Sequence, residues 1–436
     1  MVYSEYIRRI TLKIKNYDFE IDGGYKLSGS VFVQGSKNAI LPMIAASLIP
    51  NDGYTVIRNV PPLNDILVAL EIARKIGADV QFYEDEQTVA INASNLSNPE
   101  MPSELTELLR ASILFIPPLL ARLGHVRLPS VGGCPIGNRK LDYHYRGFAR
   151  LGAVVCDEDG FELRAEKLKG GELYLDFPSH TGTENLMMAA CLSRGDSVIE
   201  NVASDPEVID FGNFLNKMGA QIEGLGSGTL RIRGVENLHS TDYTAMPDRL
   251  DTGAFIMAAG ITGSSITLVR SELSHLLLLK EKLEQMGIEI VQEGSLVHVR
   301  GNNALKPINI ITCPYPGLAT DFQPGVMVLS CLADGTSYIR ERIFEGRFSQ
   351  AEELNKMGAD IDVVNSELAV VRGPVNLRGT QVKAHNIRAG ISLLLGALVS
   401  QGMTTISNVY QIDRGHHSIE HRLNQLGAKI RRIPYE

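Results

Sequence analysis

The sequence predicts a mixed α/β protein built as two pseudo-threefold domains. Three observations predict it. One short helix ending recurs six times at nearly constant spacing, a nearly all-apolar helical run also recurs six times, and short β-like runs follow most of both. The 436 residues allow roughly two to four domains. A composition of 44% hydrophobic and 21% charged residues is that of an ordinary globular chain with enough apolar surface for large cores.

The recurring ending reads K-I-G-A at 75–78, R-L-G-A at 150–153, K-M-G-A at 217–220, Q-M-G-I at 285–288, K-M-G-A at 356–359 and Q-L-G-A at 425–428. Its glycines, Gly77, Gly152, Gly219, Gly287, Gly358 and Gly427, lie 75, 67, 68, 71 and 69 residues apart. Each follows an amphipathic stretch, so each is expected to close a surface helix in the left-handed conformation that glycine tolerates. The apolar runs are N-A-I-L-P-M-I-A-A-S-L, R-A-S-I-L-F-I-P-P-L-L-A, T-E-N-L-M-M-A-A-C-L, T-G-A-F-I-M-A-A-G-I, Q-P-G-V-M-V-L-S-C-L and R-A-G-I-S-L-L-L-G-A-L. Without a polar face they read as buried helices. One repeat is then roughly 70 residues of buried helix, strand, surface helix and strand. A single repeat cannot cover its own apolar helix, whereas three around a shared centre can, and six give two such domains.

The net charge of −8, without a long Lys/Arg run, argues against nucleic-acid binding through a basic face. An anionic ligand then needs locally concentrated cations. Cys134, Cys156, Cys191, Cys313 and Cys331 are odd in number and lack C-x-x-C spacing, which argues against a disulfide framework and a zinc site. Charges near the N-terminus do not fit a signal peptide. No uncharged apolar run reaches the ~18 residues of a membrane span. The expected compartment is the cytoplasm.

The buried helices begin beside Lys37, Arg110, Thr183, Asp251, Asp321 and Arg388. Helix starts gather free N–H groups and positive dipole ends. Adding Lys37, Arg110 and Arg388 there focuses positive potential, as an anionic substrate requires. Arg139, Arg347 and Arg414 add cations in the loop-like segments G-G-C-P-I-G-N-R-K-L-D-Y-H, F-E-G-R-F and I-D-R-G. Asp321 has two readings: a helix N-cap, or a carboxylate held ionised by cations and able to accept a proton from a substrate hydroxyl. Cys134, between glycines and near Arg139 and Lys140, is either an inert thiol or a reactive one of lowered pKa. The other four cysteines are expected to be packing.

Several segments together resemble the UDP-N-acetylglucosamine enolpyruvyl transferases. They are S-K-N-A at 36–39, L-L-R-A-S at 108–112, G-G-C-x-I-G-x-R-x-x-D at 132–142, P-D-R at 247–249, T-D at 320–321, G-R-F at 346–348, I-R-A at 387–389 and I-D-R-G at 412–415. The resemblance runs from about residue 20 to the end. It implies an inside-out α/β barrel fold of two globular domains, residues 36–245 and residues 1–35 with 246–436, each of three repeats, closing over the substrates. The shikimate-phosphate branch of the superfamily shares this fold but lacks the cysteine loop.

By motif, the resemblance implies that Lys37, Arg139 and Arg414 hold the phosphate of phosphoenolpyruvate, and that Arg347 and Arg388 hold a carboxylate. Asn38 and Asp321 then contact the sugar, and Thr320 and Ile343 are further substrate-binding residues. Arg110, the stretch Arg139, Lys140, Leu141, Asp142 and Tyr143, and Ser179 and Thr181 line the nucleotide site. Cys134 lies on a lid loop as proton donor or covalent partner, and Cys134, Asp321 and Lys37 form the catalytic set. The implied reaction moves the enolpyruvyl group of phosphoenolpyruvate to the 3-hydroxyl of UDP-N-acetylglucosamine, with no metal or organic cofactor and no nucleic-acid or membrane partner; protein partners are not specified. Three departures stand out. His180 and Thr181 replace the usual Val and Gly, Asn386 replaces an aspartate, and L-A-T-D at 318–321 replaces F-P-T-D. They leave two other readings open: a paralogue acting on a different nucleotide or nucleotide sugar, and a non-catalytic UDP-sugar-binding regulator.

Overall fold

The computed structural model describes residues 17–133, 136–137, 141–156 and 161–434. It divides into two compact units. One takes the described residues of 35–134 and 139–246; the other takes those of 1–34, 135–138 and 247–436. Each unit holds three central helices. The first has α1 (Lys37–Ala46), α2 (Ile116–Leu123) and α3 (His180–Cys191); the second has α4 (Arg249–Thr262), α5 (Gln323–Leu332) and α6 (Ile387–Ala397). A 3₁₀ turn over Arg110–Phe115 leads into α2.

The all-apolar runs do become buried helices. Every residue of α4 and of α6 is buried. Small residues allow the helices to approach closely. A Cβ built on Gly253 would lie 2.4 Å from the Phe322 ring, and one on Gly325 would lie 2.6 Å from Met257. The second run differs from the others. Two prolines and a 3₁₀ entry leave α2 with only two turns, and Ala121 in it is exposed.

Six helices end at the recurring motif: Asn64–Lys75, Asp142–Arg150, Pro206–Lys217, Leu277–Gln285, Gln350–Lys356 and Ile419–Gln425. The first departs from the expected surface position, since Asn64 through Ala73 are all buried. The six glycines have φ between +88° and +112°. At Gly219 the amide donates to the Asn216 carbonyl and the Ala220 amide to the Leu215 carbonyl, and the same pair of bonds closes the other five helices. This is the Schellman closure, which a side chain at the left-handed position would strain.

The repeat contains one strand more than expected. In the first repeat, Thr55–Arg58 pairs antiparallel with Thr88–Asn92, which pairs antiparallel with Asp79–Tyr83, while Asp242–Thr244 adds a short parallel edge. The same order, a parallel edge, the strand after the buried helix and then a hairpin, recurs in three more sheets, and a fourth keeps the order without a hairpin. The sixth sheet has three strands, with a bridge between Glu100 and Arg127 at the parallel-edge position. The inner strand of the hairpin gives the strand after the buried helix a second partner, and its outer strand forms the far edge of the sheet. In the last repeat Tyr17–Asp22 takes the middle position, between Met403–Ser407 and Lys429–Pro434. Among the described residues, no helix is long and apolar enough to cross a membrane.

The close packing at Gly253 generates a stability prediction. Gly253→Val puts methyl groups against an aromatic ring within a filled core, where overpacking costs about 1–3 kcal/mol. Its urea midpoint should fall clearly below that of the unaltered chain. Gly228→Ala should leave the midpoint nearly unchanged, because a Cβ there meets nothing within 4 Å.

Candidate active site

The start of a helix carries partial positive charge, so a cation placed there is unfavourable unless an anion is near. Cations nonetheless stand at five of the six central starts. Lys37 opens α1, Arg110 opens the turn before α2, His180 opens α3, Arg249 opens α4, and Arg388 is second in α6. Lys37, Arg249 and Arg388 are only 8%, 6% and 8% exposed. Only α5 reverses the pattern, with Asp321 two residues before its first turn.

In the α1–α3 unit, Lys37 Nζ lies 3.0 Å from the Asp65 carboxylate, and both groups are buried. Asn38, next on the helix, is partly exposed. Arg110 lies close to Gly133, whose built Cβ would fall 2.8 Å from that of Arg110. Leu141 precedes, and Asp142 and Tyr143 open, the helix Asp142–Arg150. That helix is tied to α3 through buried His144, whose Nδ1 accepts from Asn185 Nδ2 at 2.9 Å. Burial lowers the His144 pKa to about 3 and keeps the ring neutral.

Ser179 caps α3, its hydroxyl accepting from the Gly182 amide at 3.2 Å, and Thr181 is in the first turn. His180 turns back on its own helix, with Nδ1 3.5 Å from the Glu184 carboxylate. Burial opposes its charge, but Glu184, with Asp205 and Glu207 behind it, raises its pKa to about 10. The residue that departs from the family pattern is thus a cation at the entrance of α3. His180, Asp205 and Glu207 bring potential ligand atoms within 4.8 Å of one another, the one such grouping among the described residues. Contacts that loose also suit an ion-pair cluster.

In the α4–α6 unit the cations converge on Asp321. Its Oδ1 accepts from Arg388 Nε at 2.7 Å and from Arg347 Nη2 at 3.2 Å. Burial works against this carboxylate, but Arg388, then Arg347 and Arg249, hold its pKa well below the usual range. Both bonds fall on one oxygen, and the side chain stays one-third exposed. The other oxygen is left to meet a further donor. Asp321 does not cap α5, because the N-cap position is Phe322. Of its two sequence readings, the ionised carboxylate among cations is the one realised.

The supports of this cluster were largely missed in the sequence. Glu341, 1% exposed, accepts from the hydroxyls of Thr312 at 2.8 Å and Thr320 at 2.9 Å and from the Ile343 amide at 2.8 Å. It thereby ties Thr320, Ile343 and the Arg347 loop together. Leu318 of the altered L-A-T-D segment is 2% exposed, so that segment is anchored. Asn386 caps α6, accepting from the amides of Arg388 at 3.1 Å and Ala389 at 3.0 Å. Asparagine serves that role as well as aspartate does. Arg249 lies over the Tyr315 ring at 5.5 Å. Its position as first residue of a buried helix was the available signal. Arg414 is buried and donates to Gln411 at 3.1 Å.

Cys134, Arg139 and Lys140 lie outside the described residues. For the other cysteines the packing expectation needs correction. Cys191 and Cys331 are buried, and burial pushes each thiol up to about 12. Cys156 is exposed and Cys313 half-buried. Cys156 follows the short edge strand Val154–Val155, whose two residues are themselves exposed, so no core reaches it.

Residues 21–423 match the family model described as EPSP synthase (3-phosphoshikimate 1-carboxyvinyltransferase). The chain is 49% identical over 420 residues to a UDP-N-acetylglucosamine 1-carboxyvinyltransferase of Thermobifida fusca (strain YX), covering 94% of this chain and 97% of that protein. It is 44% identical to one of Desulfatibacillum aliphaticivorans, covering 95% and 99%. Among solved structures, the enolpyruvyl transferase NikO from Streptomyces tendae superimposes with a TM-score of 0.88 at 26% identity, over 97% of this chain and 100% of that one. An EPSP synthase from Acinetobacter baumannii shares the fold with a TM-score of 0.76 at 18% identity, over 95% and 99%. The repeats, the cation-bearing helix starts and these likenesses agree: the chain belongs to the enolpyruvyl transferase family, among the UDP-N-acetylglucosamine 1-carboxyvinyltransferases.

Proposed function

We propose that this chain transfers the enolpyruvyl group of phosphoenolpyruvate to the 3-hydroxyl of UDP-N-acetylglucosamine and releases phosphate, the first committed step of peptidoglycan precursor synthesis, in the cytoplasm. One observation carries the reading: Asp321 is held ionised by Arg388 and Arg347, with one oxygen left for a donor. A carboxylate so placed accepts a hydrogen bond from a substrate hydroxyl and orients it for attack.

The reaction balances as an addition followed by an elimination. The 3-hydroxyl oxygen bonds to C2 of phosphoenolpyruvate and loses its proton toward Asp321, while C3 gains a proton, for which Cys134 is the donor. The tetrahedral ketal then loses a proton from C3 as the C2–O bond to phosphate breaks. Every species is anionic, so the barrier falls when fixed cations already surround the site of growing charge. Lys37, Arg139 and Arg414 serve the phosphate, and Arg347 and Arg388 serve the carboxylate. Asn38, Thr320 and Ile343 serve the sugar. Arg110, Lys140, Leu141, Asp142, Tyr143, Ser179 and Thr181 serve the nucleotide, with His180 adding charge at the same helix start. None of these roles calls for a metal or an organic cofactor.

Asp321→Asn keeps an oxygen for the arginines but removes the charge. Its phosphate release with both substrates should fall by about 10²–10⁴, while calorimetry still detects phosphoenolpyruvate binding. Near-normal turnover would reduce Asp321 to a counter-ion. Phosphate release with another nucleotide acceptor but none with UDP-N-acetylglucosamine would replace the acceptor assignment.

An epoxide mimic of phosphoenolpyruvate should alkylate Cys134, and faster when the nucleotide sugar is bound, because positioning raises the effective concentration of the thiol. Peptide mass mapping reads the outcome, with exposed Cys156 as an internal control. Equal labelling of Cys134 and Cys156 would show that no site draws the reagent to Cys134.

A further inference from the structure

Behind Arg388 a buried polar chain continues deeper into the α4–α6 unit. Arg388 Nη1 lies 3.0 Å from His416 Nε2. His416 Nδ1 lies 3.0 Å from Asp251 Oδ1. Arg422 grips both oxygens of Asp251, at 2.7 Å and 2.9 Å, and the Gln34 amide adds a bond to Oδ2 at 3.3 Å. His416 is 1% exposed and Asp251 fully buried. The chain Asp321–Arg388–His416–Asp251–Arg422 thus joins the starts of α5, α6 and α4.

The geometry fixes the proton on His416. A guanidinium nitrogen only donates, so Nε2 must accept, and the ring proton sits on Nδ1, where it is donated to Asp251. From the structure we infer that His416 is a positioning residue: its neutral imidazole, oriented by Asp251, holds the Arg388 guanidinium at the angle that delivers Nε to Asp321 and leaves Arg388 set for a substrate carboxylate. This inference rests on the proposed function for its catalytic meaning, and on contacts alone for its structural part. Asn386 fixes only the backbone of Arg388. Among the described residues, the Arg388 guanidinium hydrogen-bonds to Asp321 and His416 alone.

Charge agrees with geometry. The groups facing the imidazole are Arg388 from α6, Asp251 from α4 and Arg422 from the helix Ile419–Gln425. Burial, then the two arginines, outweigh Asp251 and lower the His416 pKa from 6.5 to about 4. The unfolded chain therefore takes up this proton before the folded chain does. The stabilisation held above pH 6.5 declines as pH falls toward 4, and the Arg388 hydrogen bond is lost only when the folded imidazole itself protonates, near pH 4.

The test uses the full-length protein. Nitrogen-detected NMR of its histidines at pH 7 should show His416 neutral with Nε2 unprotonated, whether or not the enzyme turns over any substrate. An imidazolium or the opposite tautomer would overturn the inference. His416→Phe keeps the bulk and removes the acceptor. It should raise KM for phosphoenolpyruvate by about 10–100-fold, leave affinity for UDP-N-acetylglucosamine within about 2-fold, and speed solvent exchange of the Arg388 Nε proton. His416→Gln, whose amide oxygen accepts from Arg388, should recover most of the KM. Unchanged KM and exchange in His416→Phe, or equal weakening of both substrates in both variants, would also overturn it. Failure of the unaltered enzyme to release phosphate would instead count against the proposed function, and the tautomer and exchange measurements would still decide the positioning claim. Should His416→Phe not fold, the tautomer and the His416→Gln kinetics still decide.

Discussion

Five almost wholly buried helices, and a shorter sixth buried over its first five residues, constrain the rest of this molecule. An amphipathic helix needs cover on one side, but an apolar one needs it all round. In the α4–α6 unit, three such helices cover one another, aided by glycines that let side chains press directly onto backbone. The surface helices and twisted sheets supply the outer layer. The roughly 70-residue period follows from this requirement, since each repeat must deliver one helix to the centre and return with enough sheet to roof it.

Burying a helix also buries its start, with its unbonded N–H groups and partial positive charge. Stability alone favours an acidic or neutral cap there, as Asp248, Ser179 and Asn386 provide. The buried cations beside those caps run against that preference. Such a placement is tolerated when the charges are cross-linked, as Lys37 is to Asp65 and as Arg388 is to Asp321 and His416. It becomes favourable when an anionic ligand arrives. The same desolvation that makes an unpaired buried charge costly makes each fixed cation strong toward a phosphate or carboxylate.

Much of this was legible in the sequence because it depends on periodicity. The six glycine endings and the six apolar runs specify elements whose spacing survives any shift in detail. Arg347, Arg388 and Asp321 were legible as charges at helix starts or in motifs, and they do meet. What escaped was whatever depends on contacts between distant residues. Asp65, Glu341 and His416 carry no local pattern: a carboxylate in an amphipathic helix or a histidine after D-R-G looks like any surface residue until folding brings its partner. The second strand of each hairpin escaped because runs such as Thr88–Asn92 are too short to separate from a loop. Cys156 was misread because hydrophobic neighbours in sequence, Val154 and Val155, here lie on an exposed edge.

The strand Tyr17–Asp22 gives the chain an unusual order of assembly. It is made long before the two strands it lies between, Met403–Ser407 and Lys429–Pro434. Ser28–Phe32 likewise waits for Ser265–Val269. Residues 35–246 form a nearly continuous block that can reach its full set of partners before the last strands of its companion unit are made, whereas that unit stays incomplete until residue 434 has emerged. Until then the leading segment keeps unsatisfied strand edges, the kind of surface that holding chaperones bind. A circularly permuted gene that moved residues 17–34 behind residue 434 would turn this long wait into a local antiparallel pairing, since Tyr17 already lies opposite Pro434.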